Sequence, residues 1–136
     1  MKLIHLQLNN GLAEVTKAIE SGGSSANVII AYSNRGLAHA AKAEYALAIE
    51  DYKAALALNP EYVKAYSNLG IAYYHGKEYD AAIENLAQAI ERLSKITVLD
   101  PDEIKTFLNS LYYRGLSYRA ARKYYSSKLG DASMWI

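Results

Sequence analysis

YSNRGLA at residues 32–38 recurs as YSNLGIA at residues 66–72, with two of the seven positions changed. The same offset of 34 residues also relates Tyr45 to Tyr79, Ala48-Ile49-Glu50 to Ala82-Ile83-Glu84, and Ala55 to Ala89. Self-similarity at a fixed period of this size is typical of helical arrays, in which each repeat is a helix-turn-helix that buries its apolar face against its neighbours. The duplication therefore predicts an all-α solenoid of antiparallel helix pairs.

Breaks in the apolar pattern divide the chain into helices. Asn59-Pro60 ends one, because proline lacks an amide donor and restricts the residue before it. Gly22 and Gly23 end another, since glycine readily takes the left-handed cap conformation. Gly76 is expected to supply a positive φ in the turn 76–78, whereas the turn at Ala43 has no glycine. The helices predicted in this part are Leu12 to Ile19, Val28 to Lys42, Tyr45 to Leu58, and Glu61 to His75.

The third unit departs from the period, because Gly70 and Gly115 are 45 residues apart instead of 34. The extra residues amount to about three helical turns, so lengthened helices keep the same faces inward. We predict long helices from Tyr79 to Val98 and from Asp102 to Arg122. The sequence Asp100-Pro101-Asp102-Glu103 is a strong helix start, with a carboxylate cap, a proline at the first helical position and a glutamate three residues after the cap.

These features predict about six or seven helices in a single domain, 1–136. Residues 1–27 are expected to form a partial N-terminal repeat, 28–61 a repeat, 62–98 a repeat with an extended second helix, and 99–136 a degenerate terminal repeat with a tail. A full second helix does not fit after Lys123, because Gly130-Asp131 stops it. The apolar Met134-Trp135-Ile136 docks on the last helices, binds a partner or marks a cut in a longer chain; docking and truncation are favoured over exposure.

Three glycines occupy matching positions inside predicted first helices: Gly36, Gly70 and Gly115. An isolated glycine in a helix costs about 1 kcal/mol relative to alanine. Three such residues at matching positions predict that paired helices approach closely at each glycine. The gain in packing is expected to offset the cost of glycine in the helix.

Composition argues against several classes of function. The formal net charge is +1 with both signs scattered, which disfavours a nucleic-acid or membrane surface driven by net charge. The absence of cysteine removes disulfide and thiolate chemistry. The run from Met1 to Leu8 is too short for a signal-peptide core, and no apolar run reaches the roughly 18 residues of a membrane span. We expect a soluble, cytoplasmic protein with no membrane partner.

No catalytic or metal site is expected. His5, His39 and His75 are the only histidines, and none forms the pair three or four residues apart that a helical metal site needs. The sequence has no phosphate loop, nucleophile elbow or dinucleotide fingerprint. We therefore predict no enzymatic activity, no cofactor and no metal ion.

A basic run near the C-terminus keeps a nucleic-acid alternative open. Arg114, Arg119, Arg122 and Lys123 form a candidate phosphate-binding strip, beside which tyrosines could stack on bases. Most of the thirteen tyrosines fall at packing positions of the repeat, however. A core role is favoured for them, and nucleic acid is the less favoured partner.

At the aligned positions the chain resembles the tetratricopeptide repeat family. The matching residues are Tyr32, Gly36, Tyr45, Ala48, Tyr52, Ala55 and Pro60 in the first unit, and Tyr66, Leu69, Gly70, Tyr73, Tyr79, Ala82, Leu86 and Ala89 in the second. Ser94 replaces the expected proline, and only Gly115, Tyr118 and Tyr124 match well in the third unit. The resemblance covers about residues 28 to 125 and implies a right-handed superhelix whose first helices line a concave groove.

The resemblance implies a non-catalytic scaffold or adaptor whose groove binds an extended peptide or a helix of a partner protein. Carried over by position, the groove residues are Lys64, Ser67, Ile71, Tyr74, His75, Asn109, Tyr112, Leu116 and Arg119. This apolar and aromatic floor suits a short, partly hydrophobic segment bound with about micromolar affinity. A self-assembling, homo-oligomeric array that stacks end to end is the main alternative.

Asn34, Lys64 and Asn68 form a candidate polar clamp. Asn34 and Lys64 resemble two of the residues with which one subfamily binds the acidic C-terminal tails of heat-shock chaperones. Asn68 stands where that clamp has arginine, however, and no upstream helix supplies its remaining residues. We favour a packing role in which Asn34 and Asn68 form hydrogen bonds between helices.

Overall fold

A computed structural model of the chain describes residues 2–129, with the side chains of residues 9–24 and 26–129. These residues form six α-helices: α1 Lys2–Glu20, α2 Ser25–Ala41, α3 Tyr45–Leu58, α4 Val63–His75, α5 Tyr79–Ser94 and α6 Pro101–Leu129. No strand occurs in that range, and the all-α class and the helix count are as predicted. The stop predicted at Gly130-Asp131 and the docking predicted for residues 134–136 lie outside the described residues.

Helices α2 to α5 form two helix-turn-helix units, and each helix packs against the next one along the chain. α3 has the predicted bounds. α2 begins three residues earlier than predicted, because the Ser24 hydroxyl accepts a hydrogen bond from the amide of Asn27 and caps the helix. α4 begins two residues later, after a turn in which the Asn59 side chain accepts a hydrogen bond from the amide of Glu61.

The turns inside the two units have the same geometry. Ala43 and Lys77, which are equivalent in the repeat, have φ values of 59° and 64°. Gly76 has a φ of −78°, so the expectation that it supplies the positive φ is wrong. The amide two residues after Gly76, that of Glu78, donates to the carbonyl of Tyr73 at 2.9 Å, and Glu44 donates to His39 at the same distance. These hydrogen bonds, rather than a glycine, hold the turns.

α1 is longer than the predicted Leu12 to Ile19. Asn9, Asn10 and Gly11 interrupt the apolar pattern but not the helix, because one exposed glycine costs only about 1 kcal/mol. The helix is followed by Gly22 with a φ of 67°, as the glycine pair predicted. α1 packs against α2. Lys42, the residue that caps the C-terminus of α2, donates a hydrogen bond from Nζ to Oδ1 of Asn9 in α1 at 2.7 Å.

Most of the extra residues of the third unit lie at the start of α6, and the others lie in α5 and in the loop between the two helices. α5 ends at Ser94, four residues before the predicted end at Val98. The predicted start of α6 is confirmed: the Asp100 carboxylate accepts from the Glu103 amide at 2.8 Å, and the Glu103 carboxylate accepts from the Asp100 amide at 2.9 Å.

α6 is a single helix of 29 residues, which continues past the predicted end at Arg122. No turn forms at Lys123, because residues 116–129 contain no glycine or proline that would break the helix. The added turns also have a tertiary contact: the Tyr125 hydroxyl donates to Asp80 Oδ2 at 2.7 Å, which ties α6 to the start of α5.

Each of the first two helix pairs closes on a glycine. A Cβ atom at Gly36 would lie 2.6 Å from Cε1 of Tyr52, and one at Gly70 would lie 2.5 Å from Cγ of Leu86. Both distances are too short for real Cβ contacts, and Tyr52 and Leu86 are buried. The predicted close approach at Gly36 and Gly70 is confirmed.

Gly115 does not follow this pattern, and its assignment to a close helix contact is wrong. It is exposed, and no atom of the described residues outside its own helical turn lies within 4 Å of a Cβ built there. α6 continues as one helix to Leu129, so the residues that follow Gly115 do not turn back to cover it. No partner helix within residues 2–129 therefore takes the place that α5 takes beside α4.

A buried ion pair connects the helices of the first unit. Asp51 is 4% exposed, and its two carboxylate oxygens accept from Nε and Nη2 of Arg35 at 2.9 and 2.6 Å. His39 Nε2 lies 3.9 Å from the same carboxylate. The hydrogen bond and the charge of Asp51 raise the pKa of Arg35, which favours the charged guanidinium.

Replacing Gly70 by leucine is expected to lower the free energy of unfolding by about 1–3 kcal/mol, because the new side chain must displace Leu86. Replacing Gly115 by leucine is the matched control. This change is expected to raise the free energy of unfolding by up to about 1 kcal/mol, because leucine is a better helix former than glycine. Urea unfolding of both variants checks this. Equal denaturation midpoints for the two variants would show that the contact at Gly70 is not tight.

Replacing Arg35 by methionine is expected to cost about 3 kcal/mol, because it leaves the buried charge of Asp51 without its partner. Lys95→Met, which removes an exposed pair with Glu91, is the control and should change stability by less than about 1 kcal/mol. Adding Asp51→Leu to Arg35→Met should recover part of the loss. A single Arg35 variant as stable as the wild type would contradict the role of this pair.

Candidate functional site

One face of α4 and one face of α6 lie next to each other. Lys64, Asn68, Ile71 and His75 share a face of α4, because their spacings of four, three and four residues follow the helical period. Asn109, Tyr113 and Leu116 share a face of α6 by the same spacing. We call these seven residues the α4–α6 face.

The two helices that carry this face contact each other directly. The hydroxyl oxygens of Ser67 and Ser110 are hydrogen-bonded at 2.8 Å, and both residues are at most 2% exposed. The Ser110 hydroxyl oxygen also lies 2.7 Å from the carbonyl oxygen of Thr106 in its own helix. Small side chains at this contact let α4 and α6 approach, which brings their outer residues onto one surface.

A cluster of aromatic rings lines the C-terminal half of the α4–α6 face. His75 stacks on Tyr45 with ring centroids 5.3 Å apart, and it meets the edge of Tyr113 at 5.7 Å. Tyr113 also packs against Tyr74 at 5.5 Å and against Tyr112 at 5.3 Å. Such offset and edge-to-face pairs hold the rings in defined positions. The cluster is therefore an ordered aromatic wall that joins α3, α4 and α6.

The opposite end of the face is polar. Lys64 Nζ is 2.7 Å from Asp102 Oδ2, and this hydrogen bond raises the pKa of Lys64. A cavity of about 340 Å³ opens beside the pair. It is lined by Tyr62, Val63, Lys64, Leu93, Ile96, Asp100, Asp102, Glu103 and Thr106. The α4–α6 face thus changes from charged near Lys64 to aromatic near His75.

Two asparagines on the face carry amide groups that have no hydrogen-bond partner in the described part of the chain. Neither Asn68 nor Asn109 makes a side-chain hydrogen bond to any residue in the range 2–129, and Asn109 is exposed. Asn34 is exposed on α2, and its amide likewise has no partner in the described part of the chain. The packing role expected for Asn34 and Asn68 as interhelix hydrogen-bonders is therefore wrong.

The residues predicted from sequence to line the groove lie on two faces. Lys64, Ile71, His75, Asn109 and Leu116 belong to the α4–α6 face. The remaining ones are Ser67, Tyr74, Tyr112 and Arg119, which lie on the sides of their helices that carry Gly70 and Gly115. Of these, Ser67 is used in the contact between α4 and α6, while Tyr112 and Arg119 are exposed.

The residues of the predicted polar clamp are not joined to one another. Asn34 borders a cavity between α1 and α2, whereas Lys64 is paired with Asp102. Within residues 2–129, no hydrogen bond or ion pair connects Asn34, Lys64 and Asn68.

Tyr113 is the member of the face that the sequence pattern did not single out. Its signal was its place in the repeat: it stands two residues before Gly115, as Asn34 and Asn68 stand two residues before Gly36 and Gly70. Its position in the repeat therefore identifies Tyr113, whereas the pattern of exposed aromatic residues favours its neighbour Tyr112.

The comparison with protein families adds to this geometry. A family model described as the tetratricopeptide repeat matches residues 33–95. Residues 33–95 are tetratricopeptide repeats. The match covers the region from the middle of α2 to the end of α5, and the all-helical fold agrees with it. The comparison with curated proteins finds no match.

Tetratricopeptide repeats generally mediate protein–protein interactions and are generally non-catalytic. The repeat region here is flanked by α1 and by α6, and the α4–α6 face combines the second repeat with the long helix that follows it. In the part of the chain from residue 2 to residue 129, no helix is long and apolar enough to cross a membrane.

Replacing Tyr113 by leucine is expected to lower the free energy of unfolding by about 1–2 kcal/mol, because ring pairs contribute about 0.5–1.5 kcal/mol each and this residue is partly exposed. Tyr113→Phe keeps the rings and should behave like the wild type. Denaturant unfolding of both variants measures the difference. Equal stability of the leucine and phenylalanine variants would show that the ring contacts contribute nothing.

Proposed function

We propose that this chain is a non-catalytic interaction module that binds a segment of a partner protein on the α4–α6 face. The observation that carries the proposal is the pair of unpaired amides, Asn68 and Asn109, beside an apolar and aromatic floor. An extended peptide presents backbone N–H and C=O groups at regular spacing, and an asparagine side chain can both donate to and accept from them.

The apolar and aromatic residues of the α4–α6 face indicate which side chains the bound segment should carry. Ile71 and Leu116 are partly exposed apolar residues, and Tyr113 and His75 provide ring surfaces next to them. These residues favour a segment with one or two apolar or aromatic side chains, which act as anchors in a protein interface. The affinity expected for such a short segment is about micromolar.

The charged end of the face argues against a clamp for an acidic chain terminus. Lys64 is already paired with Asp102, so a ligand carboxylate would have to displace an existing ion pair. Asp100 and Glu103 beside the pair make this end unfavourable for further negative charge. The proposal therefore excludes the clamp at Asn34, Lys64 and Asn68.

The cytoplasmic location, the scaffold or adaptor role and the right-handed superhelix stay predictions.

A displayed library of random 12-residue peptides, selected on the wild-type chain, tests the proposal. Peptides that it recovers should bind the double variant Asn68→Ala plus Asn109→Ala about tenfold or more weakly, because each lost hydrogen bond contributes about 0.5–1.5 kcal/mol. Fluorescence anisotropy of labelled peptides measures the affinities.

The control is Asn10→Ala, which removes an exposed asparagine from α1. It should bind the peptides like the wild type. Neither asparagine on the face has a hydrogen-bond partner within residues 2–129, so the double variant should also keep its stability in thermal unfolding. The proposal fails if the selected peptides bind the double variant and the wild type equally well.

A further inference from the structure

α6 carries a second exposed face that is centred on Gly115. Residues spaced three or four apart place a row of large apolar side chains on it, and their side chains are between 45% and 62% exposed. They are Ile104, Leu108, Tyr112 and Tyr118. We call the row and Gly115 the Gly115 face. It differs from the α4–α6 face, whose residues on this helix are Asn109, Tyr113 and Leu116.

The first two repeats show what covers this position. In each of them the equivalent glycine is buried under the helix that follows, by the ring of Tyr52 over Gly36 and by Leu86 over Gly70. Both covering side chains come 16 residues after their glycine, on a helix that returns antiparallel to the first. Gly115 has the same register but no cover within residues 2–129. The Gly115 face is thus shaped to receive a helix.

The charges on α6 favour a bound helix with acidic residues at one end. Between residues 111 and 129, α6 carries five basic residues and no acidic one, while Asp102 and Glu103 stand at its other end. An antiparallel helix places its N-terminal half beside the basic half of α6, so acidic residues there are favoured both by these charges and by its own dipole.

We propose that the Gly115 face binds an amphipathic helix of a partner protein, antiparallel to α6. That helix carries a large apolar residue over Gly115 and acidic residues in its N-terminal half. A second copy of α6 is a poorer occupant, because an antiparallel copy that sets its Asp102 and Glu103 beside these basic residues also sets its own Gly115 opposite the first one and leaves the gap unfilled. A nucleic acid would meet the positive charge but has no side chain to fill the gap above Gly115.

The chain provides a model for such a helix in α5. Its sequence YDAAIENLAQAIERLS has Asp80 and Glu84 in the N-terminal half, and Leu86 is the residue that covers Gly70 in the second repeat. A synthetic peptide of residues 79–94 is therefore the probe, and a second peptide with Leu86→Ala is its matched control.

Binding of the α5 peptide to the full chain is measured by fluorescence anisotropy. Gly115→Leu is expected to weaken it tenfold or more, because the new side chain occupies the gap that the peptide leucine fills. Gly11→Leu makes the same substitution at another exposed helical glycine and should leave binding unchanged. Arg119→Glu plus Arg122→Glu should also weaken binding, and so should added salt.

The variant Asn68→Ala plus Asn109→Ala should bind the α5 peptide normally, which separates this face from the one proposed above. Wild-type affinity of the Gly115→Leu variant, or equal affinity for the Leu86→Ala peptide, would overturn the proposal. A single-stranded oligonucleotide that binds when the peptide does not would assign the face to nucleic acid. A dimer that only Gly115→Leu dissociates would assign it to a second copy.

Discussion

The contact between a glycine on one helix and a large side chain on the next is the constraint on which the rest of this fold depends. Gly36 under Tyr52 and Gly70 under Leu86 set how closely the helices of each pair approach. The buried alanines of α3 and α5 then fit without side-chain clashes, and all four are fully buried: Ala48, Ala55, Ala82 and Ala89. Both pairs close in the same way, and the second pair stacks on the first through the contact between α3 and α4.

The same constraint explains why α6 is different. It docks on α4 and α5, but it has no covering helix of its own within the described residues. One side of it therefore contributes Asn109, Tyr113 and Leu116 to the face shared with α4, and another side exposes Gly115 and its apolar neighbours. The two proposed binding surfaces differ in chemistry: the first has unpaired amides beside aromatic rings, and the second has an apolar row beside basic residues.

Much of the fold was predictable because its signals are local and repeated. Asn59-Pro60 ended α3 at the expected residue, and Asp100 and Glu103 formed the expected cap. The errors had both local and tertiary causes. Ala43 and Lys77 take positive φ without being glycines, because hydrogen bonds to the preceding helix hold the turn. α6 continues past Lys123, where Tyr125 reaches Asp80.

The sequence by itself determined the helical class, the period of 34 residues, most helix ends and the family of residues 33–95, because these depend on spacing and on residues close in the chain. The tertiary structure decided which side of each helix is covered. Only packing shows that Gly70 is covered while Gly115 has no cover within residues 2–129, that Ser67 is hydrogen-bonded to Ser110, and that Tyr113 belongs to the aromatic wall. The exposure of a side chain depends on residues that are distant in sequence, and equivalent positions in the repeats pack against different neighbouring residues.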